Sequence, residues 1–301
     1  MNIMQVRPLP KNKGTRINFR RYESLAVNTT PLNEGVTPTG KKLTTSDIYA
    51  TVKMYGDFVT LSDVIMLTGL DATLVEAGEV LAEQMGQTVD TLDRDVVVAG
   101  TSVRYAAGES ARDSVATAIA TSDVKSAVRV LEGGNAKKIN TMVVAGAKVG
   151  TRPIPSAYRA IAHTDCRQDI EALAGFTKVE EYASHKGVQE NEIGSWGNIR
   201  FELTTHGKVN LAAGAAVGST GLVAQDSTNI DVYYILILGK NAYGVTPLQR
   251  GNTKNIIKRL GSAGTEDPLN QRATSGWTVA RTGKILNDDF MIRIEAGVTD
   301  L

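Results

Sequence analysis

The chain has 301 residues, of which 42% are hydrophobic and 22% are charged, and its 33 lysines and arginines nearly balance its 32 acidic residues. A chain of this length and composition buries enough apolar surface to fold without disulfides or metal ions, which excludes collagen-like, low-complexity and wholly disordered classes. The single cysteine, Cys166, excludes an internal disulfide framework and a cysteine-rich zinc module. The net charge of +1 excludes a chain that coats nucleic acid through its overall charge.

No apolar run reaches the ~18–20 residues that a membrane span requires, and residues 1–8 lack the hydrophobic core of a secretory signal. The sequence therefore predicts a soluble protein made in a reducing cytoplasm. Three histidines in the whole chain are few, which lowers the expectation of metal binding or of histidine acid–base catalysis.

Positive charge is concentrated at the start of the chain. Residues 1–22 contain no acidic residue and six basic ones, namely Arg7, Lys11, Lys13, Arg16, Arg20 and Arg21. Such a segment is either a solvated basic tail or an arm that lies on an acidic partner or on a phosphate backbone.

Two segments, residues 15–22 and 47–60, have the composition of β-strands. In the second, apolar residues from Ile48 to Met54 alternate with exposed types, which is typical of a half-buried strand. The twenty or so residues between the segments are rich in Thr, Pro and Gly, whereas a hairpin usually closes with about two to five residues. We expect a projecting loop that is ordered by another molecule; a floppy surface loop is the alternative.

A long amphipathic helix is predicted over residues 71–99, with Asp71 as its N-cap and Gly100 following its last turn. At 1.5 Å per residue this helix would be about 43 Å long. Its outer face carries seven acids and one arginine, a net charge of −6, from Asp71, Glu76, Glu79, Glu83, Asp90, Asp93 and Asp95 against Arg94. This face is either simply solvated or in contact with the basic segment of the same or another copy.

The rest of the sequence mixes short helices and strands. A helix over residues 122–132 would be capped by Ser122, and a shorter one would cover 169–173. Strands are predicted at 156–163, 230–239, 274–280 and 290–296. The chain is therefore assigned to the α+β class.

The sequence provides weak signals for catalysis. His163, Asp165 and Cys166 lie close together, but a nucleophile or a metal site needs partners that converge in space, and an ordinary strand end is the favoured interpretation. Glycine-rich segments such as 214–221 lack the spacing of phosphate-binding loops. We therefore predict no catalytic residue, no cofactor site and no metal site.

Five sequence blocks, in order along the chain, resemble the tailed-phage major capsid proteins with the Hong Kong 97-type fold, and most closely the coat-protein family of phage N-four. The blocks are 17–25 with 30–38, 55–59 with 62–63, 81–84 with 90–95 and 99–101, 191–194 with 198–201, and 267–272 with 276–277. The resemblance extends over about residues 12–297 and depends on the five blocks together.

The resemblance implies an extended hairpin loop, a long spine helix with a peripheral sheet, and an axial α/β domain. The implied divisions are 1–13 as a short N-terminal arm, 14–62 as the extended loop with its flanking strands, 63–150 as the peripheral domain with spine helix 71–99, 151–260 as the axial domain, and 261–301 as return strands that complete the peripheral sheet through 274–296. Family members usually have a longer arm before the arginine-rich strand.

The resemblance also implies a function. The chain would assemble as pentamers and hexamers into an icosahedral shell around double-stranded DNA, inside a host bacterium, with a separate scaffolding protein, a portal and, as a further candidate, a decoration protein. Candidate inter-subunit residues are Arg16, Arg20, Arg21, Lys41 and Lys42 toward acidic neighbours, Glu34 toward a basic neighbour, and Glu76, Glu79 and Glu83 on the helix. The alternatives are an encapsulin-like compartment and a soluble enzyme that uses His163 and Cys166.

Overall fold

The structure is a computed structural model that describes residues 4–10, 12–68, 72–139, 142, 153–182, 191–218, 220–247, 254–262 and 264–300. In chain order, its helices and strands are β1 (Met4–Val6), β2 (Arg16–Tyr22), β3 (Thr45–Thr51), β4 (Lys53–Ser62), α1 (Asp63–Thr68), α2 (Thr73–Val98), β5 (Val103–Tyr105), α3 (Thr121–Gly133), β6 (Tyr158–His163), α4 (Arg167–Glu171), β7 (Thr177–Lys178), β8 (Glu192–Trp196), β9 (Ile199–Thr204), β10 (Val209–Asn210), β11 (Val232–Leu238), β12 (Tyr243–Pro247), β13 (Lys254–Lys258), β14 (Arg272–Ile285) and β15 (Met291–Ala296). The strands form a five-stranded, an eight-stranded and a two-stranded sheet.

The five-stranded sheet packs against the long helix α2. Its central strand β14 pairs antiparallel with β4 on one side and with β12 and β13 on the other, and β1 adds to β12 in parallel. Leu81 of the helix packs against Trp277 and Val279 of β14. The Gln84 side chain donates to the Asp57 carboxylate at 2.8 Å and accepts from the Trp277 indole N–H at 3.0 Å. Gln84 therefore joins α2 to two neighbouring strands.

The eight-stranded sheet contains the largest core, and its order is β5-β15-β11-β6-β9-β8-β7, with β10 paired to β11. All seven residues of β11 are buried because its two faces enter different cores. Ile235 and Ile237 pack in the core that also contains side chains of α3 and α4. Leu236 and Leu238 pack with Val97, near the end of α2.

A buried carboxylate lies where the long helix ends on the eight-stranded sheet. Glu295 of β15 is fully buried, 2.6 Å from the Arg112 guanidinium and 2.7 Å from that of Arg293. Arg293 also donates to the carbonyl of Val98, the last residue of α2. Because the carbonyls at a helix C-terminus carry partial negative charge, this arginine satisfies the helix end and the carboxylate together.

The two-stranded sheet is a hairpin, in which β2 and β3 pair antiparallel from Arg16 opposite Thr51 to Tyr22 opposite Thr45. Residues 23–44 connect the two strands without helix or strand structure, so the prediction of a long connection is confirmed. The base of the hairpin has its own small core, made by Leu9, Ile17, Phe19, Ala50 and Leu286.

The prediction that residues 274–296 complete one sheet is wrong. Strand β14 lies in the five-stranded sheet, whereas β15 lies in the eight-stranded sheet. Two strands within the predicted axial range 151–260, β12 and β13, pair with β14, and β5, from the predicted peripheral range 63–150, pairs with β15. The reason is that strand pairing joins segments far apart in sequence, which the order of sequence blocks does not determine.

The predicted strand over 47–60 is two strands. The alternation holds up to Val52, whose N–H donates to the Thr15 carbonyl at 2.8 Å within the hairpin. After Val52 the alternation of buried and exposed residues reverses: Met54 is 74% exposed, whereas Tyr55 packs beneath the long helix. The chain therefore leaves the hairpin at Val52 and enters the five-stranded sheet.

The long helix predicted over 71–99 is present from Thr73 to Val98, and its predicted cap, Asp71, lies outside the described residues. The prediction that Ser122 caps α3 is wrong. That helix begins at Thr121, and the Asp123 carboxylate accepts from the Ala120 N–H at 3.0 Å. Among the described residues, no helix is long and apolar enough to cross a membrane.

We expect Gln84→Ala to lower the free energy of unfolding by about 1–2 kcal/mol, because it leaves the Trp277 indole N–H and the Asp57 carboxylate without this partner. Urea unfolding of the unassembled chain measures the change. The matched control is Gln87→Ala, whose amide donates to Glu83 on the same helix at 3.1 Å, and which should change stability little. Equal losses of unfolding free energy in the two variants would contradict the role of Gln84 in joining α2 to the sheet.

Candidate inter-subunit surfaces

The connection between β2 and β3 exposes apolar side chains. Five apolar residues of this connection are each more than half exposed, namely Leu25, Val27, Leu32, Val36 and Leu43. Soluble monomers rarely expose so much apolar surface on one segment, and a concentration of this kind marks a contact with another molecule. Of the predicted contact residues in this connection, Glu34 and Lys42 are exposed, and Lys41 donates to the Ala26 carbonyl at 2.8 Å.

The predicted arginines of β2 all have contacts within their own chain. Arg16 lies 3.9 Å from the centre of the Tyr49 ring. Arg20 donates two hydrogen bonds to Asp47 across the hairpin, at 3.0 and 3.3 Å, and this bonding lowers the pKa of the Asp47 carboxyl. Arg21 reaches the Leu286 carbonyl at 3.5 Å. Arg20 thus has an intrachain acidic partner, and the predicted contacts of these arginines with neighbouring subunits stay predictions.

The predicted acidic residues of α2 lie together. Glu76, Glu79 and Glu83 are exposed, and their spacing places them on one face of the helix. Val80, on the same face, is 66% exposed. We call Glu76, Glu79, Val80 and Glu83 the acidic stripe. Within the described part of the chain, no ion pair joins it to the hairpin arginines.

A basic cleft between the hairpin and the eight-stranded sheet was not singled out from the sequence. It has a volume of about 580 Å³, and its charged lining residues are Arg20, Arg21, Glu23, Lys137, Lys240 and Asp289. The Lys240 N–H donates to the Lys137 carbonyl at 2.8 Å, so the two lysines are neighbours although 103 positions separate them in sequence. No local pattern identifies such a pair, because only the fold brings it together.

The His163–Cys166 segment does not form a reactive cysteine site. Cys166 is 1% exposed, and burial raises the pKa of its thiol, which disfavours the nucleophilic thiolate. His163 Nδ1 lies 3.1 Å from the Asp165 carboxylate, which also accepts from the Tyr233 hydroxyl at 3.0 Å. In the parts of the chain that the structure describes, no group of three or more His, Cys, Asp or Glu residues is arranged to hold a metal ion.

Solved structures share this architecture. The capsid of Ralstonia phage GP4 matches with a TM-score of 0.74 at 12% identity, over 99% of this chain and 88% of that chain. The head structure of Helicobacter pylori bacteriophage KHP40 matches with a TM-score of 0.64 at 12% identity, over 97% of this chain and 88% of that chain. The Cyanophage Pam1 capsid matches with a TM-score of 0.61 at 11% identity, over 99% of this chain and 90% of that chain.

The chain has the Hong Kong 97-type capsid fold. This confirms the predicted fold class. No protein-family model matches the sequence, and no curated protein matches it. The closer relation to the coat proteins of phage N-four stays a prediction.

The hairpin base packs against a glycine of the five-stranded sheet. At Gly244 on β12, an added Cβ would lie 2.9 Å from the Phe19 ring and 3.1 Å from Leu286. The absence of a side chain at this position therefore leaves room for the ring. This close approach and the Arg21 contact to Leu286 hold the hairpin base against β12 and the end of β14.

We expect Gly244→Ala to displace the hairpin base, to lower the free energy of unfolding by about 1–3 kcal/mol and to make residues 23–44 easier to cleave, because the methyl group overpacks the Phe19 ring. Limited proteolysis and urea unfolding measure the two effects. The control is Gly78→Ala on α2, where an added Cβ meets open space and helix propensity favours alanine. Unchanged proteolysis in Gly244→Ala would contradict the role of this packing.

Proposed function

We propose that this chain is the major capsid protein of a tailed bacteriophage, which assembles as pentamers and hexamers into an icosahedral shell around double-stranded DNA. The observation that carries the proposal is the extent of the structural match. It covers 99% of this chain and 88% of the Ralstonia phage GP4 capsid chain, so it includes the hairpin, the long helix and both large sheets. A shared small module would not give such coverage.

The surfaces of the chain suit a shell subunit. A shell distributes its binding energy over many contacts between copies, and projecting segments exchange surface between neighbours. The exposed apolar residues of 23–44 supply such a segment. A matching apolar surface lies on β4, where Met54 and Phe58 are exposed. We propose that the hairpin of one copy lies over this face of the neighbouring copy.

The two large sheets suggest how the subunit is divided. The five-stranded sheet with α2 corresponds to the peripheral domain of the proposed capsid protein, and the eight-stranded sheet with α3 and α4 corresponds to the axial domain around five-fold and six-fold axes. Strands β5 and β15 with α3 then belong to the axial domain, and strands β12, β13 and β14 to the peripheral domain. A separate scaffolding protein, a portal and a decoration protein would be partners, and packaged DNA would be contacted without sequence specificity.

Negative-stain electron microscopy of the purified chain, alone and co-expressed with its genomic neighbours, tests the proposal. We expect closed shells tens of nanometres across that hold DNA when the neighbouring phage genes are present. Shells that enclose an enzyme, in a genome without tail or terminase genes nearby, would instead favour an encapsulin-like compartment. A monodisperse monomer under every condition would contradict both assignments.

The apolar residues of the connection give a sharper test. We expect Leu32→Asp with Val36→Asp to prevent shell formation while leaving the free energy of unfolding unchanged, because both side chains are exposed in the single subunit. Electron microscopy and urea unfolding measure the two outcomes. The control is Asn33→Asp with Thr37→Asp, which adds the same charge beside these positions without removing apolar surface. Shells formed by the first variant would contradict an assembly role for this segment.

A further inference from the structure

We propose that the basic cleft of one copy binds the acidic stripe of α2 from a second copy. The inference rests on the proposed function, because it names one contact between copies within the shell. It assigns a role to Lys137 and Lys240, two residues that the sequence analysis does not single out, and it gives the acidic stripe a definite partner.

The cleft has cations available for a partner. Of its four basic residues, Arg20 already bonds to Asp47, and Arg21 reaches a backbone carbonyl. Lys137 and Lys240 are exposed, and within the described part of the chain neither has an ion-pair partner. Of the two acids in the lining, Glu23 accepts from the Ser46 hydroxyl at 2.7 Å and Asp289 is exposed. With Arg20 paired to Asp47, three basic residues and two acids remain in the lining, an excess of one positive charge that Lys137 and Lys240 present to solvent.

The cleft also has an apolar part, which favours a protein partner over a phosphate backbone. Tyr22, at 63% exposure, and the half-buried Phe290 line it beside the lysines. A site for phosphates would need only the charges, whereas aromatic walls gain from burying an apolar group. Val80 lies between the glutamates of the acidic stripe and is such a group.

The two surfaces are compatible in size. Glu76 and Glu83 are about 10 Å apart along the helix axis at 1.5 Å per residue. A cleft of about 580 Å³ accommodates several side chains but not a whole helix, which is about 10–12 Å wide with its side chains. The geometry therefore suits a helix that lies across the mouth of the cleft, with its glutamates near Lys137 and Lys240 and with Val80 against the aromatic walls.

The contact has to join two copies. In its own chain, α2 packs on the five-stranded sheet and directs the acidic stripe to solvent. Because the cleft and the stripe are different surfaces, the contact is head-to-tail, and such contacts close into rings when the rotation between copies allows. A ring of five or six subunits requires a contact of this kind.

Charge exchange tests the inference. We expect Lys137→Glu with Lys240→Glu to lower the yield of shells at least about tenfold, because like charges would meet across the contact. Glu79→Lys with Glu83→Lys should have the same effect, and the two pairs of changes in one chain should restore assembly. The control is Lys125→Glu with Arg129→Glu, an exposed pair on α3, which should assemble normally. Failure of the combined variant while each pair still folds would overturn the inference.

Crosslinking between two single-site variants tests the geometry directly. Glu83→Cys and Lys240→Cys proteins, mixed during assembly and treated with a bifunctional thiol crosslinker long enough to replace the two side chains, should give a crosslinked dimer, whereas Glu83→Cys mixed with Arg129→Cys should not. Normal shells without this crosslink would overturn the inference and leave the proposed function intact. If the variant with Lys137→Glu and Lys240→Glu forms normal shells that retain less DNA, the cleft is a phosphate site, and this outcome also overturns the inference. A wild-type chain that never assembles would overturn the proposed function first.

Discussion

The burial of β11 on both faces is the constraint on which the architecture depends. One face of this strand contacts the core under α3 and α4, and the other contacts the end of the long helix. A strand whose seven residues are all buried has to be covered on both sides, so the five-stranded and eight-stranded units pack against each other at this point. The Arg112–Glu295–Arg293 cluster lies beside this junction, and its charges are satisfied by one another and by the end of α2.

Local patterns in the sequence predicted the elements that depend on local physics. The amphipathic pattern of residues 71–99 predicted α2, and the strand-like composition of residues 230–239 predicted β11, because both signals arise within one segment. The sheets to which β14 and β15 belong were not predictable in this way. Strand β14, for example, pairs with residues more than two hundred positions earlier, from Arg272 opposite Ser62 onward, and the choice of partner depends on the complete fold.

The candidate contact surfaces show the same limit. The sequence placed Glu76, Glu79 and Glu83 correctly on an exposed face of α2. Asp93, predicted on the same face, is instead half-buried and paired with Arg281. Arg20 and Asp47 face each other only because the hairpin closes in one register. Lys137 and Lys240 come together only because the turn after β11 lies beside the end of the segment that follows α3. Charge counts along a chain therefore indicate surfaces, whereas the pairing of charges requires the fold.

In the proposed shell, the connection of residues 23–44 would affect how errors of assembly are corrected. Its apolar side chains have no core of their own, so holding them in a fixed position on a neighbour loses conformational freedom as it gains burial. The loss of conformational entropy opposes the free energy gained by burial, so the net strength of a single contact is small. A misplaced subunit can then dissociate, while a subunit with all its neighbours in place is retained by the sum of many weak contacts.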